Sequence, residues 1–524
     1  MASTADLILA IDQGTSSTKA LLVSADGSVV RSASAPLGAA HPRPGWVEQD
    51  ALEVWESVRL AVGSCLSSDD APRIVAVGLT NQRESLVLWD RATGEPLGPV
   101  LGWQDRRTAE RCAMLVAAGA GELVAEVSGL PLDPMFSALK AQWLLDEYDP
   151  DRRRSEAGEL CLGTIDSWLL SRFGGEHVTE IGNASRTQLL DARRGVWDPR
   201  LLALFGVPSA VLGTVVASDG PFPAVRGLDP LPDGVPVLAV LGDSHAALFA
   251  HAGWRPGVVK ATYGTGSSVM AALSGPAGSA AGLCLTVAWQ LGGAAPTLAL
   301  EGNIRSSGRT LTWLAELLGV GVDELLSTAG PSSEGVALVP AFGGLGAPWW
   351  DASAVATVSG LTLGSGRPAL ARAAIESVAL QVEDVVAAVE SVGGPVGTLL
   401  ADGGLSRSTA VMQAQADVSG REVRRADEAD LSALGAAQLA GVGAGFWTVD
   451  QLAERPRETE LFLPTLTADD RRAARTAWRA AVARARGKTV PDAPPAPAGA
   501  ASAEFGVEAV AASPTNPIAP RRLT

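Results

Sequence analysis

The chain has 524 residues, more than one hydrophobic core supports, so the length favours two large domains with a cleft available between them. A formal net charge of −16, with no window dense in Lys and Arg, excludes a protein that tracks a nucleic-acid backbone. No uninterrupted apolar segment reaches the ~20 residues that span a bilayer, and the N-terminus lacks the basic start of a secretion signal, so the reading is a soluble, cytoplasmic chain without a membrane partner. The four cysteines, Cys65, Cys112, Cys161 and Cys284, fit neither a metal spacing nor a disulfide framework. They read as buried thiols, with a redox role as the alternative.

From residue 6 the sequence predicts strands and one helix: LILAID, a turn at QGTSS, TKALLVS, an Asp26-Gly27 turn and SVVRSASAPL. A helix from Ala51 to about Ser67 starts behind Asp50 as N-cap, and RIVAVGLT follows as an apolar strand. Near the middle, GVVKATYGTGSSVMAAL repeats the order strand, Gly-Thr turn, small hydroxyl residues, strand, which suggests an internal duplication. Between Leu370 and Glu390, Ile375, Val378, Val382, Val385 and Val389 recur at helical spacing and mark one buried face. TLLADGG then reads as a strand entering a glycine turn, TAVMQAQADVSG as a helix, EVRRAD as an edge strand and LSALGAAQLAGVGAG as a small-residue helix able to pack closely. Residues 487–524 are rich in Pro and Ala without periodicity and read as a disordered tail.

A phosphate needs several backbone N–H groups at one point, and a turn of Gly, Thr and Ser supplies them without steric cost. Asp12-Gln13-Gly14-Thr15-Ser16-Ser17 and Tyr263-Gly264-Thr265-Gly266-Ser267-Ser268 both fit, and two copies in matching positions suggest that both face one nucleotide. Plain hairpin turns are the alternative. Asp12 could hold Mg²⁺, directly or through water, or cap its turn. Asp243, delivered at the end of the strand VPVLAVLG, is either a base that orients a hydroxyl for phosphoryl transfer or a helix N-cap.

The ordered motifs IDQGTSSTK, PRPGWVEQD, LTNQRES, GWQDRRTAE, GTIDSWLL, NASRTQLLD, TYGTGSS, PAFGGLGAPWWD and LGAAQLAGVGAGFW resemble the glycerol kinase branch of the FGGY carbohydrate kinases, over residues 6 to 485. The resemblance implies an α/β fold of two ribonuclease H-like domains of the actin and hexokinase type. Their bounds would be 1–250 for acceptor and phosphate binding and 251–486 for the nucleotide, with a cleft between them. It implies ATP and Mg²⁺ as cofactors and a small polyol or sugar as partner, and it leaves a homodimer open. By the same resemblance Asp243 is the catalytic base, and Asp12 with Asp243 lies at the metal. Gly14, Thr15, Ser16, Lys19, Gly264, Thr265, Gly308, Thr312, Gly404 and Ser408 surround the nucleotide. Arg83, Glu84, Trp103, Met135, Asp243 and Ser244 surround the acceptor. Without the resemblance, Arg83 and Glu84 read as a surface ion pair.

Four positions depart from the glycerol kinase pattern: Met135 and Ser268 stand where the family has aromatics, Ser244 where it has Gln, and Ser408 where it has Asn. Three of these changes fall on the acceptor pocket and make it less aromatic and roomier. The resemblance implies glycerol or a related polyol as the acceptor, and these changes raise the alternative of a longer one, such as a tetritol, pentitol or ketose, with Ser244, His245 and Ser268 as candidate hydroxyl partners. His245 could equally be a helix-start residue bonded to backbone. The segment before Asp243 lacks the Gly- and Arg-rich stretch that binds an allosteric sugar phosphate, so regulation of that kind is not expected. The competing readings are a xylulose or ribulose kinase, and an actin-fold ATP-binding protein without an acceptor. A dehydrogenase is excluded by the absence of a dinucleotide fingerprint.

Overall fold

A computed structural model describes residues 6–275 and 282–487. The tail expected from residue 487 onward lies outside the described residues, Gly487 excepted. In chain order the first part of the chain forms β1 (Leu7–Gln13), β2 (Ser17–Ser24), β3 (Val29–Pro36), α1 (Ala51–Cys65) and β4 (Ile74–Asn81). It closes with β5 (Val237–Gly242) and α2 (Asp243–Ala250). The second part forms β6 (Val258–Tyr263), β7 (Ser267–Ala272), β8 (Cys284–Trp289), β9 (Thr297–Ile304), α3 (Gly308–Leu318), α4 (Arg367–Gly393) and β10 (Thr398–Asp402). It continues through α5 (Thr409–Ser419), β11 (Glu422–Ala426), α6 (Leu431–Gly443) and β12 (Thr459–Phe462).

The first sheet has the order β5-β4-β1-β2-β3 and the second β8-β9-β7-β6-β10-β11-β12. In each, a hairpin whose third member is also antiparallel sits beside two parallel strands: β3-β2-β1-β4-β5 in the first, β9-β7-β6-β10-β11 in the second. The repeated turn thus belongs to a repeated topology, and each turn joins the first two strands of its sheet. EVRRAD is not the edge strand the sequence suggested, because β12 pairs antiparallel along its outer side. That strand comes from TELF, whose four residues are too few to announce themselves by alternation.

Local chemistry explains the elements that frame the cleft. Asp50 caps α1, its carboxylate accepting from the Leu52 and Glu53 N–H groups. In α4 the five predicted apolar positions are all buried, and each contributes about 1.5–3 kcal/mol of transfer free energy. That helix lies so close to the second sheet that a Cβ on Gly302 of β9 would sit 2.3 Å from Val385 Cγ1. The small residues of α6 let it cross onto the first sheet. A Cβ on Gly435 would lie 1.9 Å from the Ala246 carbonyl oxygen of α2, and one on Gly78 of β4 would lie 2.3 Å from Ala436 O. A helix from the second half of the chain is therefore wedged against the strand that leads to Arg83 and the helix that begins with Asp243. Among the described residues no helix is long and apolar enough to cross a membrane.

Candidate active site

The parallel strands β1, β4 and β5 end together, with Asp12 opposite Thr80 and Gly242 opposite Asn81. This is the edge where α/β sheets collect ligands. It gathers Asp12, Arg83, Glu84 and Asp243 from three separate stretches of sequence. The chain leaves β4 through a tight turn in which Glu84 has φ +62° and the Ser85 N–H donates to the Arg83 carbonyl. A non-glycine residue held in that region costs on the order of 1–3 kcal/mol, a strain that tends to concentrate at functional sites. Here it aims the two neighbouring side chains in different directions.

Arg83 and Glu84 are not a surface ion pair: they are 6% and 5% exposed, and each finds another partner. Arg83 Nε donates to Asp243 Oδ1 at 2.9 Å, while Nη1 and Nη2 form a fork onto Glu301 of β9 at 2.9 and 2.8 Å. Glu84 Oε1 accepts from Arg186 Nε at 2.6 Å, and Arg186 Nη1 lies 2.8 Å from Glu301 Oε2. The result is an alternating chain of charges, Asp243, Arg83, Glu301, Arg186 and Glu84. Burial alone would raise the Glu301 carboxyl, but the Arg186 and Arg83 guanidinium groups hold it well below the usual carboxylate range.

Asp243 is the first helical residue of α2, with Gly242 at the N-cap, so it is not the cap the sequence allowed. Its Oδ1 is fixed by Arg83 and by the Ser244 N–H at 2.6 Å. Its Oδ2 has no hydrogen-bond partner among the described residues. Glu84 Oε2 is likewise without one, so two anchored carboxylates each keep one oxygen open to a ligand. Trp103 stands beside this group, its indole N–H donating to Thr15 Oγ1 at 3.0 Å. Met135 packs against the buried cluster of Leu130, Phe136 and Cys284.

The nucleotide candidates fall into two groups. Gly264, Thr265, Gly308, Thr312 and Gly404 line one open cleft of about 580 Å³, together with Arg309, Leu311, Val322 and Leu405. The β6–β7 turn and the start of α3 are locked together there, since the Gly308 and Ser307 N–H groups donate to Gly264 O and Thr265 O at 2.9 Å. A Cβ on Gly308 would sit 2.8 Å from Gly264 O, which explains the glycine. Gly14, Thr15 and Ser16 form the turn between β1 and β2 and do not line that cleft, with the Gly14 N–H donating to Ser17 O at 3.0 Å. Lys19 is held by Asp430 Oδ1 at 2.6 Å. Ser408 does not line the cleft: it is the N-cap of α5, accepting from the Val411 N–H.

Asp12 accepts no capping hydrogen bond, and its Oδ1 is enclosed without a partner. Burial, and then the neighbouring Asp243 charge, push its carboxyl up to about 7 against the pull of Lys19. An enclosed carboxylate oxygen facing a second carboxylate suits a hydrated Mg²⁺, which takes oxygen ligands and keeps most of its water. No cluster of three or more His, Cys, Asp or Glu side chains capable of a closed metal cage occurs among the described residues. Because the folded-state pKa is raised, the stability this group contributes is complete below about pH 4 and is lost as pH rises toward 7, where the unfolded chain has already released the proton. From this group, metal-free protein is expected to lose up to roughly 4 kcal/mol over that window. Mg²⁺ should restore stability more at pH 7.5 than at pH 5, and Asp12→Asn should remove both effects. Thermal denaturation across pH with and without Mg²⁺ checks this.

Three further expectations change. His245 is fully buried and reaches Thr286 Oγ1 at 3.4 Å with Nε2, so it is neither a hydroxyl partner for a ligand nor bonded to backbone. Burial, and then Arg83, hold its pKa well below the ordinary imidazole value. The Ser268 hydroxyl is used internally, donating to Glu301 Oε1 at 2.8 Å. Of the three candidate hydroxyl partners only Ser244 keeps an unbonded side chain. All four cysteines are free and buried, as expected.

Sequence reasoning missed Arg186 and Glu301, which are 0% exposed and central to the charge chain. Arg186 lies within the motif NASRTQLLD. Glu301 could have been found as a lone carboxylate in the apolar strand TLALEGNI, a pattern that demands a buried cation.

The residues 7–250 match the FGGY family of carbohydrate kinases, N-terminal domain, and residues 259–444 match its C-terminal domain. The chain is 42% identical over 489 residues to an apulose kinase of Pectobacterium atrosepticum, covering 92% of this chain and 98% of that one. It is 44% identical over 493 residues to a glycerol kinase of Aromatoleum aromaticum, covering 92% and 99%. The crystal structure of Plasmodium falciparum glycerol kinase with ADP superposes with a TM-score of 0.85 at 27% identity, covering 92% of this chain and 98% of that one. With matched family domains over both sheets, and the strand ends of the first sheet gathering Asp12, Arg83, Glu84 and Asp243, the chain belongs to the FGGY family of carbohydrate kinases.

Proposed function

We propose that this carbohydrate kinase transfers the γ-phosphoryl group of ATP to an acceptor longer than glycerol, a four- or five-carbon polyol or ketose, with Asp243 as the base. The observation that carries the base assignment is the half-anchored carboxylate. Oδ1 is fixed by Arg83 and the Ser244 N–H, and Oδ2 is left to orient a hydroxyl. Glu84, with Oε1 on Arg186 and Oε2 open, supplies a second acceptor for a neighbouring hydroxyl. Arg83 and Trp103 complete that side. The glycine-lined cleft around Gly264, Thr265, Gly308, Thr312 and Gly404 would take the nucleotide, with Gly14, Thr15, Ser16 and Lys19 facing its phosphates. Asp12 and Asp243 would hold Mg²⁺, whose charge offsets that building on the transferred group.

The longer acceptor is supported by the small Ser268 and flexible Met135 at positions where the glycerol kinase pattern has aromatics, and by the similarity to an apulose kinase. A second reading, glycerol itself, is favoured by the similarity to glycerol kinases. ADP release with Mg²⁺-ATP across glycerol, dihydroxyacetone, erythritol, threitols, pentitols, ketopentoses and apulose separates them. A four- or five-carbon acceptor should give the highest kcat/KM; glycerol in first place would assign glycerol instead, and no turnover on any acceptor would overturn the kinase assignment for this chain.

A further inference from the structure

Glu301 occupies the middle of β9, opposite Met270 of β7 and Cys284 of β8, and is 0% exposed. Its strand neighbours Leu300 and Ile304 face the core beneath α4, which turns Ala299, Glu301 and Asn303 to the opposite face, toward the first sheet. A carboxylate there is costly unless paired. Its cations both come from the other half of the chain: Arg83 after β4 and Arg186 within NASRTQLLD. Two neutral donors from its own half fix it further, Ser268 Oγ to Oε1 at 2.8 Å and Asn303 Nδ2 to Oε1 at 3.1 Å. No oxygen of Glu301 is left over for a ligand, whereas each arginine it holds passes on to a carboxylate that has one.

We propose that Glu301 is a positioning residue for the acceptor site: by clamping Arg83 and Arg186 from the second half of the chain, it sets the orientation of Asp243 and Glu84 on the first. The inference rests on the kinase reading above. It assigns a task to a residue that touches no substrate, and it makes the catalytic geometry of the first sheet conditional on the second sheet being in place. Ser268 acquires a role in the same arrangement. Its hydroxyl orients Glu301, so this serine serves the clamp as well as opening space near the acceptor.

The test compares wild type, Glu301→Gln and Ser268→Ala in the full chain. Glu301→Gln keeps the shape but removes the charge that pairs the two arginines. It is expected to lower kcat by about 100-fold, the scale of a 1 Å misplacement at a reacting group, while KM for ATP stays within twofold. Ser268→Ala loses one hydrogen bond from a neutral donor to the Glu301 carboxylate and should lower kcat severalfold with a smaller fall in denaturation midpoint than Glu301→Gln, so the test survives if Glu301→Gln fails to fold. Small-angle scattering is the second readout: Glu301→Gln should enlarge the radius of gyration, since the ion pairs between the two halves are weakened. Unchanged kcat and unchanged scattering in both variants would overturn the clamp. A wild-type chain that releases no ADP with any acceptor would overturn the kinase reading, and the scattering comparison alone would then decide the clamp.

Discussion

Asp243→Asn is expected to lower acceptor-dependent ADP release by about 10²–10⁴-fold, the range a positioned general base contributes, while ATP binding stays within a fewfold of wild type. The amide is isosteric and keeps an oxygen for the Arg83 Nε–H and the Ser244 N–H, which now hold Oδ1 at 2.9 and 2.6 Å. The helix start and the neighbouring arginine therefore stay in place. What disappears is the basicity of the free Oδ2 and the negative charge beside Asp12. The cleft proposed for the nucleotide is lined by residues of the second half of the chain, and Asp243 is not among them. Isothermal titration with ATP and a steady-state ADP assay separate the two effects. Turnover within tenfold of wild type would move the base role to Glu84, the other carboxylate with an open oxygen.

Much of this site was legible in the sequence because its backbone signals are local. A strand, a Gly-Thr turn and a second strand can be read from consecutive residues, and both hairpins occur where they were expected. The capped start of α1 and the buried stripe of α4 are legible for the same reason. The position of Asp243 at a strand end could also be read from VPVLAVLG. Side-chain pairing could not. Arg83 and Glu301 are 218 residues apart, and nothing local states that one neutralises the other. Adjacent Arg83 and Glu84 suggested each other as partners, but the positive φ at Glu84 sends them to different neighbours. Hydroxyl roles were the least legible, because Ser and Thr bond in whichever direction the fold supplies a partner. Ser268 serves Glu301 and Ser408 serves a helix start, although both were read as facing ligands.

Arg186 offers the largest expected effect on stability. Its side chain is fully buried, bonded to Glu84 at 2.6 Å and to Asn303 at 3.3 Å, paired with Glu301 at 2.8 Å, and stacked over Phe136 with its guanidinium carbon 5.1 Å from the ring centre. Arg186→Met retains much of the apolar volume but leaves Glu84 without its cation and Glu301 with only Arg83. Breaking a buried pair from one side costs on the order of 3–5 kcal/mol, most of it the desolvation of the charge left behind. The urea midpoint should fall accordingly, and acceptor KM should rise because Glu84 loses the contact that aims it. Arg186→Lys keeps the charge without the planar fork and should lie between the two. Adding Glu84→Gln to Arg186→Met removes the orphaned carboxylate, and the double variant should regain roughly 0.5–3 kcal/mol relative to additivity. Its activity should stay low, because the charged carboxylate proposed to accept from the substrate hydroxyl is replaced by a neutral, more weakly accepting amide. Stability would then return without function, which separates the structural role of the charge chain from its role in holding the acceptor. Recovery of both would mean that Glu84 serves only to neutralise Arg186.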